Sequence, residues 1–210
     1  DFNYDTPKST IPGIKLNYKI VWRAHDNNFW WMECSGVKFD TIHDANEIQY
    51  EMKRIAYGVW EYMKNHPDGR AKNYDLDWIG AIPAKRESVR YVGPYTLTQD
   101  DVVSGGHFED VVAYGGWTLD DHDPNGFMNK GLASTEYIVN QGYGIPFDCL
   151  YSINVPNLMF AGRDISTSHM AFSGIRVMAT TALIGQAAGT AAAMIIEKDT
   201  APAGLRKDHI

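Results

Sequence analysis

The sequence contains little cysteine: Cys34 and Cys149 are the only two among its 210 residues. They stand far apart, and neither has other metal-binding residues around it at the spacing of a zinc site. This excludes a disulfide framework and a zinc module as the basis of the fold. A single disulfide between them remains an alternative, but two buried free thiols are the preferred interpretation, because free cysteine is usually buried.

Basic residues are also scarce. Lys and Arg number 19 against 26 Asp and Glu, which gives a net charge of -7. Non-specific nucleic-acid binding depends on a basic surface that neutralises phosphates, so we predict no nucleic-acid partner. The composition, 44% hydrophobic and 21% charged, is that of a soluble globular protein that can bury a core.

Long apolar runs are limited to one stretch, residues 177–196, which has the length of a membrane span and no charged residue. It consists mainly of Ala, Gly and Thr around Gln186, and it lacks the Leu, Ile and Phe content that drives insertion. We therefore predict a buried helix in a soluble core and no membrane partner.

The strongest helical pattern in the first half begins near residue 44. Apolar residues recur at helical spacing from Ile48 to Met63, which predicts an amphipathic helix of about twenty residues. Asp44 followed by Glu47 predicts a capping pair at its start. The segment 65–69, Asn-His-Pro-Asp-Gly, predicts its end.

The rest of the first 150 residues favours strands and loops. Short apolar runs predict strands at 17–22, 29–32, 77–82 and 89–97. The stretch 115–144 is rich in Gly, Asp, Asn and His and predicts loops. Within it, the run 120–123, Asp-Asp-His-Asp, and the nearby His107 show no defined ligand spacing, so we expect a solvated loop and no metal.

The C-terminal part has a different pattern. Residues 157–162 predict a short apolar strand that ends at a glycine turn, where a ligand can approach the backbone closely. A polar loop follows. A long helix is then expected to begin between Ser173 and Val177 and to fade near Lys198.

This long helix has unusually small side chains. Gly185, Gly189 and Ala193 fall one turn apart and form a smooth face. The N-terminus of the helix offers free backbone N–H groups and a partial positive charge, and Arg176 can add a full charge. Such an end suits an electron-rich carbonyl or a developing anion. From composition alone, however, an Ala-rich core helix without a ligand is the preferred interpretation.

Four groups of residues, in a fixed order over roughly 40–198, change that preference. They are Arg86 to Gly93 with Tyr95 to Thr98; Ala113 to Trp117; Tyr143 to Phe147; and Ala161 to Ser166 with Arg176 to Thr180 and Gly185 to Ala193. Together they resemble the FAD-dependent oxidoreductases of the fumarate-reductase and glucose-inhibited-division type. The most similar is a bacterial family whose members are often labelled FAD-dependent oxidoreductase or xanthan lyase-like.

The resemblance implies FAD as cofactor and a set of residues that hold it. The turn at Ala161, Gly162 and Arg163 would pass the ribityl or pyrophosphate part of the flavin. Arg163 departs from the carboxylate that many wider relatives use for a ribityl hydroxyl, and Asp164 would be its substitute. The backbone of Ala179, Thr180 and Thr181 would meet the pyrimidine edge. The residues implied to pack behind it are Gly185, Gln186 and Gly189.

The resemblance also implies catalytic candidates. Arg176 and Arg90 would face substrate or flavin, and His169, in the loop before the helix, would exchange a proton with substrate near flavin N5. Two of them have simpler alternative roles: a hydrogen bond to backbone for His169, and an ion pair with Glu87 for Arg90.

A complete enzyme of this type carries G-x-G-x-x-G between a strand and a helix, and this sequence has no such motif. We therefore expect the dinucleotide-binding half to lie outside the chain. The fold class is predicted as α+β: a β-rich substrate or cap region over 1–150, a C-terminal strand and long helix of an incomplete FAD/NAD(P)-binding domain over 151–198, and a tail over 199–210. Alone, the chain should bind FAD weakly or not at all and have no turnover.

The expected function is that of the C-terminal part of an FAD-dependent oxidoreductase that passes a hydride between an organic substrate and flavin N5. The alternative is a carbohydrate-binding or interaction module, suggested by 12 Tyr, 6 Trp and the Trp30-Trp31 pair, although a core role is the usual one for such residues. A polysaccharide lyase is a third and weaker possibility. The expected partners are a small substrate, with a carbohydrate as one option, the missing domain, and a second copy through the unpartnered helix face. The chain begins with Asp1, typical of a processed product, so the compartment, bacterial cytoplasm or periplasm, stays open.

Overall fold

The computed structural model describes residues 22–24, 27–29, 38–69, 71–84, 89–126 and 134–210. The chain divides into two compact units. Unit 1 comprises residues 1–88 and 122–134, and unit 2 comprises residues 89–121 and 135–210. The predicted functional regions 1–150, 151–198 and 199–210 stay predictions, because a grouping by contacts does not assign roles.

Unit 1 contains one long helix. Strands β1 (Trp22–Ala24) and β2 (Asn27–Phe29) pair antiparallel, and α1 spans Ala45–Lys64. The predicted helix is thereby confirmed. Its predicted capping pair is wrong, because the Asp44 carboxylate accepts a hydrogen bond from the backbone N–H of Asp40 at 2.8 Å and caps no helical N–H.

The strands predicted for this part of the chain are not confirmed as regular elements. The run 77–82 forms no strand, although it is apolar. The runs 17–22 and 29–32, the pair Trp30-Trp31 and the cysteine Cys34 lie outside the described residues, except that Trp22 and Phe29 belong to β1 and β2.

The remaining elements give a mixture of short helices and small antiparallel sheets. They are α2 (Gln99–Ser104), β3 (Val111–Gly115), β4 (Leu119–His122), β5 (Ser134–Tyr137), β6 (Tyr143–Pro146), a 3₁₀ turn (Phe147–Cys149), α3 (His169–Ile175), α4 (Met178–Glu197) and α5 (Pro202–His209). Strand β3 pairs with β6, and β4 with β5. The predicted α+β fold class is confirmed.

Segments that carry the sequence motifs lie side by side in unit 2. Strand β3 pairs with β6, so that Ala113 stands opposite Ile145 and Gly115 opposite Tyr143. The segment 91–97 runs along 164–168, where Tyr91 N–H donates to Asp164 O at 2.9 Å. The four motif groups therefore form two neighbouring pairs, although about 70 residues of sequence separate the members of the second pair.

Three predictions about regular structure in this part need correction. Residues 89–97 form single bonds to 148 and 164–168 instead of a strand. The strand expected at 157–162 is reduced to one bridge between Met159 and Tyr151. The stretch 115–144 is not all loop, since it contains β4, β5 and the start of β6.

The core of unit 2 lies under β3, β6 and the helices. Its largest fully buried side chains include Tyr143, Phe147, Phe160, Ile165, Ile175 and Ile184. Cys149 is a buried free thiol, as expected. The expected tail contains α5, whose Leu205 is fully buried and whose Arg206 Nε lies 3.1 Å from the buried Asp110 carboxylate. This pair fixes α5 to the core.

Helix α4 packs one face into this core. Thr180, Ile184, Ala188 and Ala191 are its buried residues, and it contacts β3 and α5. Among the described helices, α4 has the length and composition that could cross a membrane. The absence of a membrane partner stays a prediction.

Candidate functional site

The glycine turn of the predicted cofactor site is present. Gly162 has φ +102°, a left-handed conformation that favours glycine, and apart from Gly162 and its two chain neighbours no described atom lies within 4 Å of the position that a methyl group would take there. The neighbouring Ala161 and Arg163 are exposed. The backbone at this turn is therefore accessible, and a ligand could approach it closely.

Asp164 follows the turn and carries an unusual carboxylate. Its backbone carbonyl accepts from Tyr91 N–H, but its buried Oδ1 has no hydrogen-bond partner among the described residues. A buried carboxylate oxygen without a partner is costly. A ligand hydroxyl or N–H at this point would remove that cost.

The region before α4 differs from the prediction. Residues 169–175, expected in a polar loop, form the helix α3, because the hydroxyl of Ser168 accepts from Ala171 N–H at 3.2 Å and caps its start. His169 is therefore the first residue of a helix. Arg176 lies in the break between α3 and α4 and does not begin the long helix.

The start of α4 is open. The helix begins at Met178, within a residue of the predicted range, and Met178 is 88% exposed. No side chain in the described part of the chain caps its first N–H groups. Of the predicted backbone contacts, Ala179 is exposed, whereas the side chain of Thr180 is buried. The Thr181 hydroxyl bonds back to the carbonyl of Val177 or Met178.

The face of α4 that points away from the core is smooth. Gly189, Gln186 and Ala193 are exposed and Gly185 is half-buried. Apart from the adjacent residues and the backbone of α4 itself, no described atom lies within 4 Å of a methyl group added at Gly185 or Gly189. Gly185 and Gly189 lie about 100° around the helix from Ile184 and Ala188, the residues that precede them, so they flank the buried face, and no other described segment packs on them.

The arginine candidates have structural partners. Arg176 is mostly buried and donates to Asp120 Oδ2 at 2.8 Å and to Asp120 O at 3.0 Å. The guanidinium of Arg90 lies 5.8 Å from the ring centroid of Phe172, and burial lowers the pKa of Arg90. Glu87, its suggested partner, lies outside the described residues.

His169 has a partner that the sequence did not suggest. Its Nε2 lies 3.0 Å from Asp121 Oδ1, and its side chain is 53% exposed. The run 120–123 is therefore no free loop: Asp120 and Asp121 hold Arg176 and His169, and Asp123 accepts from Asn125 within its own turn. No three His, Cys, Asp or Glu side chains of the described part converge as a metal site.

The residues present fit the flavin that the resemblance implies. An open glycine turn, a buried carboxylate oxygen without a partner, an uncapped helix start and a methyl-free helix face are features that accept a planar, polar ligand. The cofactor-binding and catalytic assignments of these residues stay predictions.

Comparison with known proteins gives the family. A family model described as FAD dependent oxidoreductase matches residues 3–210. No curated protein and no solved structure gives a significant match. Because the family match spans nearly the whole sequence, the chain belongs to the FAD-dependent oxidoreductase family.

Proposed function

We propose that this chain is the C-terminal part of a flavoenzyme that transfers a hydride between an organic substrate and FAD. The flavin supplies the electron chemistry, and the chain supplies orientation, electrostatics and proton transfer. The single observation that carries this proposal is the open, methyl-free face of α4 at Gly185 and Gly189. The sequences it resembles point to the bacterial, xanthan lyase-like branch of the family.

Helix α4 would contact the isoalloxazine ring. A glycine in the middle of a helix costs about 1 kcal/mol relative to alanine, so two glycines with nothing packed on them need another reason. A planar ring that must approach the helix backbone provides one. The uncapped start of α4 would place N–H groups and the positive end of the helix dipole at the polar edge of that ring.

The turn at Gly162 would hold the polar chain of the cofactor. We assign Asp164 Oδ1 the role of accepting a hydrogen bond from a ribityl or ribose hydroxyl, which replaces the carboxylate expected at Arg163. This assignment is supported by the burial of that oxygen without a described partner. Arg163 is exposed and can reach a phosphate.

The chemistry beside the ring would depend on His169 and the two arginines. His169 is half-exposed and can exchange a proton with a substrate. Arg90 lies in a partly desolvated setting beside Phe172, where a fixed charge acts strongly on an anionic substrate group. Arg176, held by Asp120, contributes a positive charge next to the start of α4.

A dinucleotide-binding half outside this chain would complete the site. Without it, the contacts to adenine and pyrophosphate are missing, and the exposed residues Met178, Leu183 and Ile196 of α4 favour self-association. The substrate is a small organic molecule, with a carbohydrate as one option. The apolar face of α4 is thus expected to be covered in the intact enzyme.

The test is a pair of FAD titrations followed by flavin fluorescence. The intact protein, including any upstream dinucleotide fingerprint, should bind FAD stoichiometrically, and the 210-residue chain should bind it weakly or not at all. Tight binding by the short chain would contradict the expectation that an essential half is missing. An intact protein that never binds FAD would refute the proposed function.

A carbohydrate-binding role is the second candidate, and exposed aromatic side chains of unit 1 favour it. Tyr50 and Tyr57 are 73% and 56% exposed on α1, about two turns apart on one helix face. Trp78 is also 74% exposed. Isothermal titration with oligosaccharides separates the candidates, because tight sugar binding without flavin-dependent turnover would favour the binding module.

A further inference from the structure

Two consecutive aspartates in the middle of β4 contact opposite ends of α3. Asp121 Oδ1 lies 3.0 Å from Nε2 of His169, the first residue of α3. Asp120 accepts from Arg176, which directly follows the last residue of α3. Both pairs lie in unit 2. Strand β4 therefore fixes the helix that carries His169 at both ends.

The second end is held firmly. The guanidinium of Arg176 makes two bonds to Asp120, through carboxylate and carbonyl oxygens, and its Nε lies 3.3 Å from Ser173 O. Its side chain is 14% exposed. A helix anchored in this way cannot turn away from β4, so the His169–Asp121 contact is set by the fold and not by two mobile side chains.

At the first end of α3, His169 contacts Asp121 and is also exposed to solvent. The Asp121 side chain is 26% exposed, whereas that of His169 is 53% exposed. An exposed ion pair adds little stability. A carboxylate on one ring nitrogen has a chemical effect, however, because it determines which nitrogen carries the proton and stabilises the imidazolium that forms when the ring takes up a second one.

We propose that Asp121 is a positioning residue for the reaction: it holds His169 with the proton on Nε2, which makes Nδ1 the basic nitrogen. This inference rests on the proposed function. A proton that leaves the substrate passes to Nδ1, the ring becomes an imidazolium, and the Asp121 carboxylate offsets its charge. In the reverse direction, Nδ1 returns the proton and the ring is neutral again.

The test measures the ring directly and the turnover separately. In the intact flavoprotein labelled with ¹⁵N-histidine, at a pH where the ring is neutral, the ring signals of His169, assigned with His169→Gln, should show protonated Nε2 and unprotonated Nδ1. Asp121→Asn should give a mixture of tautomers and lower kcat at least about tenfold, since positioned proton transfer contributes 10²- to 10⁴-fold, with little change in KM.

Two further variants make the test specific. Asp121→Glu keeps the charge and should recover part of kcat. Asp100→Asn makes the same chemical change at an exposed position of α2 and should leave both the ring signals and kcat as in the wild type. A purely structural role for Asp121 would lower the unfolding midpoint of Asp121→Asn without altering the tautomer or kcat.

A protonated Nδ1 in the wild-type ring overturns the inference, as does wild-type kcat in a folded Asp121→Asn. If that variant does not fold, the wild-type tautomer and the Asp121→Glu kinetics decide. Failure of the proposed function is distinguishable: a wild-type protein without bound FAD or redox turnover refutes the flavoenzyme proposal, whereas the tautomer still reports on Asp121.

Discussion

Gly93, Gly106 and Gly144, which are buried in unit 2, have different surroundings from the glycines of α4. A methyl group at Gly93 would lie 2.5 Å from the carbonyl oxygen of Asp148 and 3.1 Å from that of Tyr151. Gly106 and Gly144 approach each other so closely that a methyl on either would meet the backbone of the other. At these positions, the contacts within the fold require glycine.

Gly185 and Gly189 have no such contacts. They lie within a helix, where glycine is unfavourable, and apart from the adjacent residues and the backbone of that helix, no described atom is within 4 Å of an added methyl group. The fold of the described residues gives no reason for them. The comparison therefore teaches that glycine in the same chain can serve packing in one place and, on our proposal, a ligand in another.

Gly93→Ala should have the largest effect, because its methyl group meets backbone that cannot move aside. We expect the free energy of unfolding to fall by about 2 to 3 kcal/mol, measured by urea unfolding of the purified protein. Gly116→Ala is the matched control, since no described atom beyond its chain neighbours lies within 4 Å of its added methyl, and it should stay within about 0.5 kcal/mol of the wild type. Equal stability of the two variants would show that Gly93 is not confined.

Burial of a thiol and a phenol in the core of unit 2 should also lower the stability of the protein at alkaline pH. Burial raises the pKa of Cys149 from 9.0 to about 12 and that of Tyr143 from 10.0 to about 12. The unfolded chain loses the thiol proton above about pH 9 and the phenol proton above about pH 10, whereas the native state keeps both up to about pH 12. The contribution of these two groups to the free energy of unfolding is therefore fully present below about pH 9. It falls toward pH 12, by up to about 1.4 kcal/mol per pH unit for each group.

This slope can be assigned to one residue. Urea unfolding of Cys149→Ala across the same pH range should lack the part of the loss that begins near pH 9, whatever its stability at neutral pH. An unchanged slope would mean that the thiol is not the group responsible.

The smallest expected change in the free energy of unfolding comes from replacing a helical glycine by alanine, and its sign should differ between α4 and α3. Gly189→Ala should raise the free energy of unfolding by about 0.5 to 1 kcal/mol through helix propensity alone. Gly174→Ala in α3 should lower it, because the added methyl would lie 3.0 Å from the Tyr143 hydroxyl oxygen and 3.1 Å from Leu119 Cδ2. Thermal melts of the two variants measure both changes. A higher Tm in both would show that Gly174 is no more confined than Gly189.

Long periodic elements could be predicted from the sequence, and short ones could not. The apolar spacing from Ile48 to Met63 locates α1, and the small residues of 177–196 locate α4, because each pattern extends over several turns. Helix α3 has only seven residues, too few for periodicity. Its Ser168 cap was the available signal. The apolar run 157–162 looked like a strand, but it makes only one bridge.

Contacts between distant segments were the other limit. The order of the motifs could be read from the sequence, but not that 91–97 runs beside 164–168. The partners of the candidate site residues were missed for the same reason: Asp121 is 48 positions from His169, and Asp120 is 56 from Arg176. Asp44 was predicted to cap α1, but the nearby N–H of Asp40 binds its carboxylate instead.

The central claim, that a flavin lies on the open face of α4, is tested most directly by placing a side chain there. In the intact protein, Gly189→Leu should fold with a Tm no lower than that of the wild type, since leucine also favours a helix over glycine, and bind FAD at least about tenfold more weakly, the effect of about 1.4 kcal/mol of overlap. Thr190→Leu, on the exposed flank of the same helix, should bind FAD as the wild type does. A folded Gly189→Leu protein with the wild-type Kd for FAD would contradict the account.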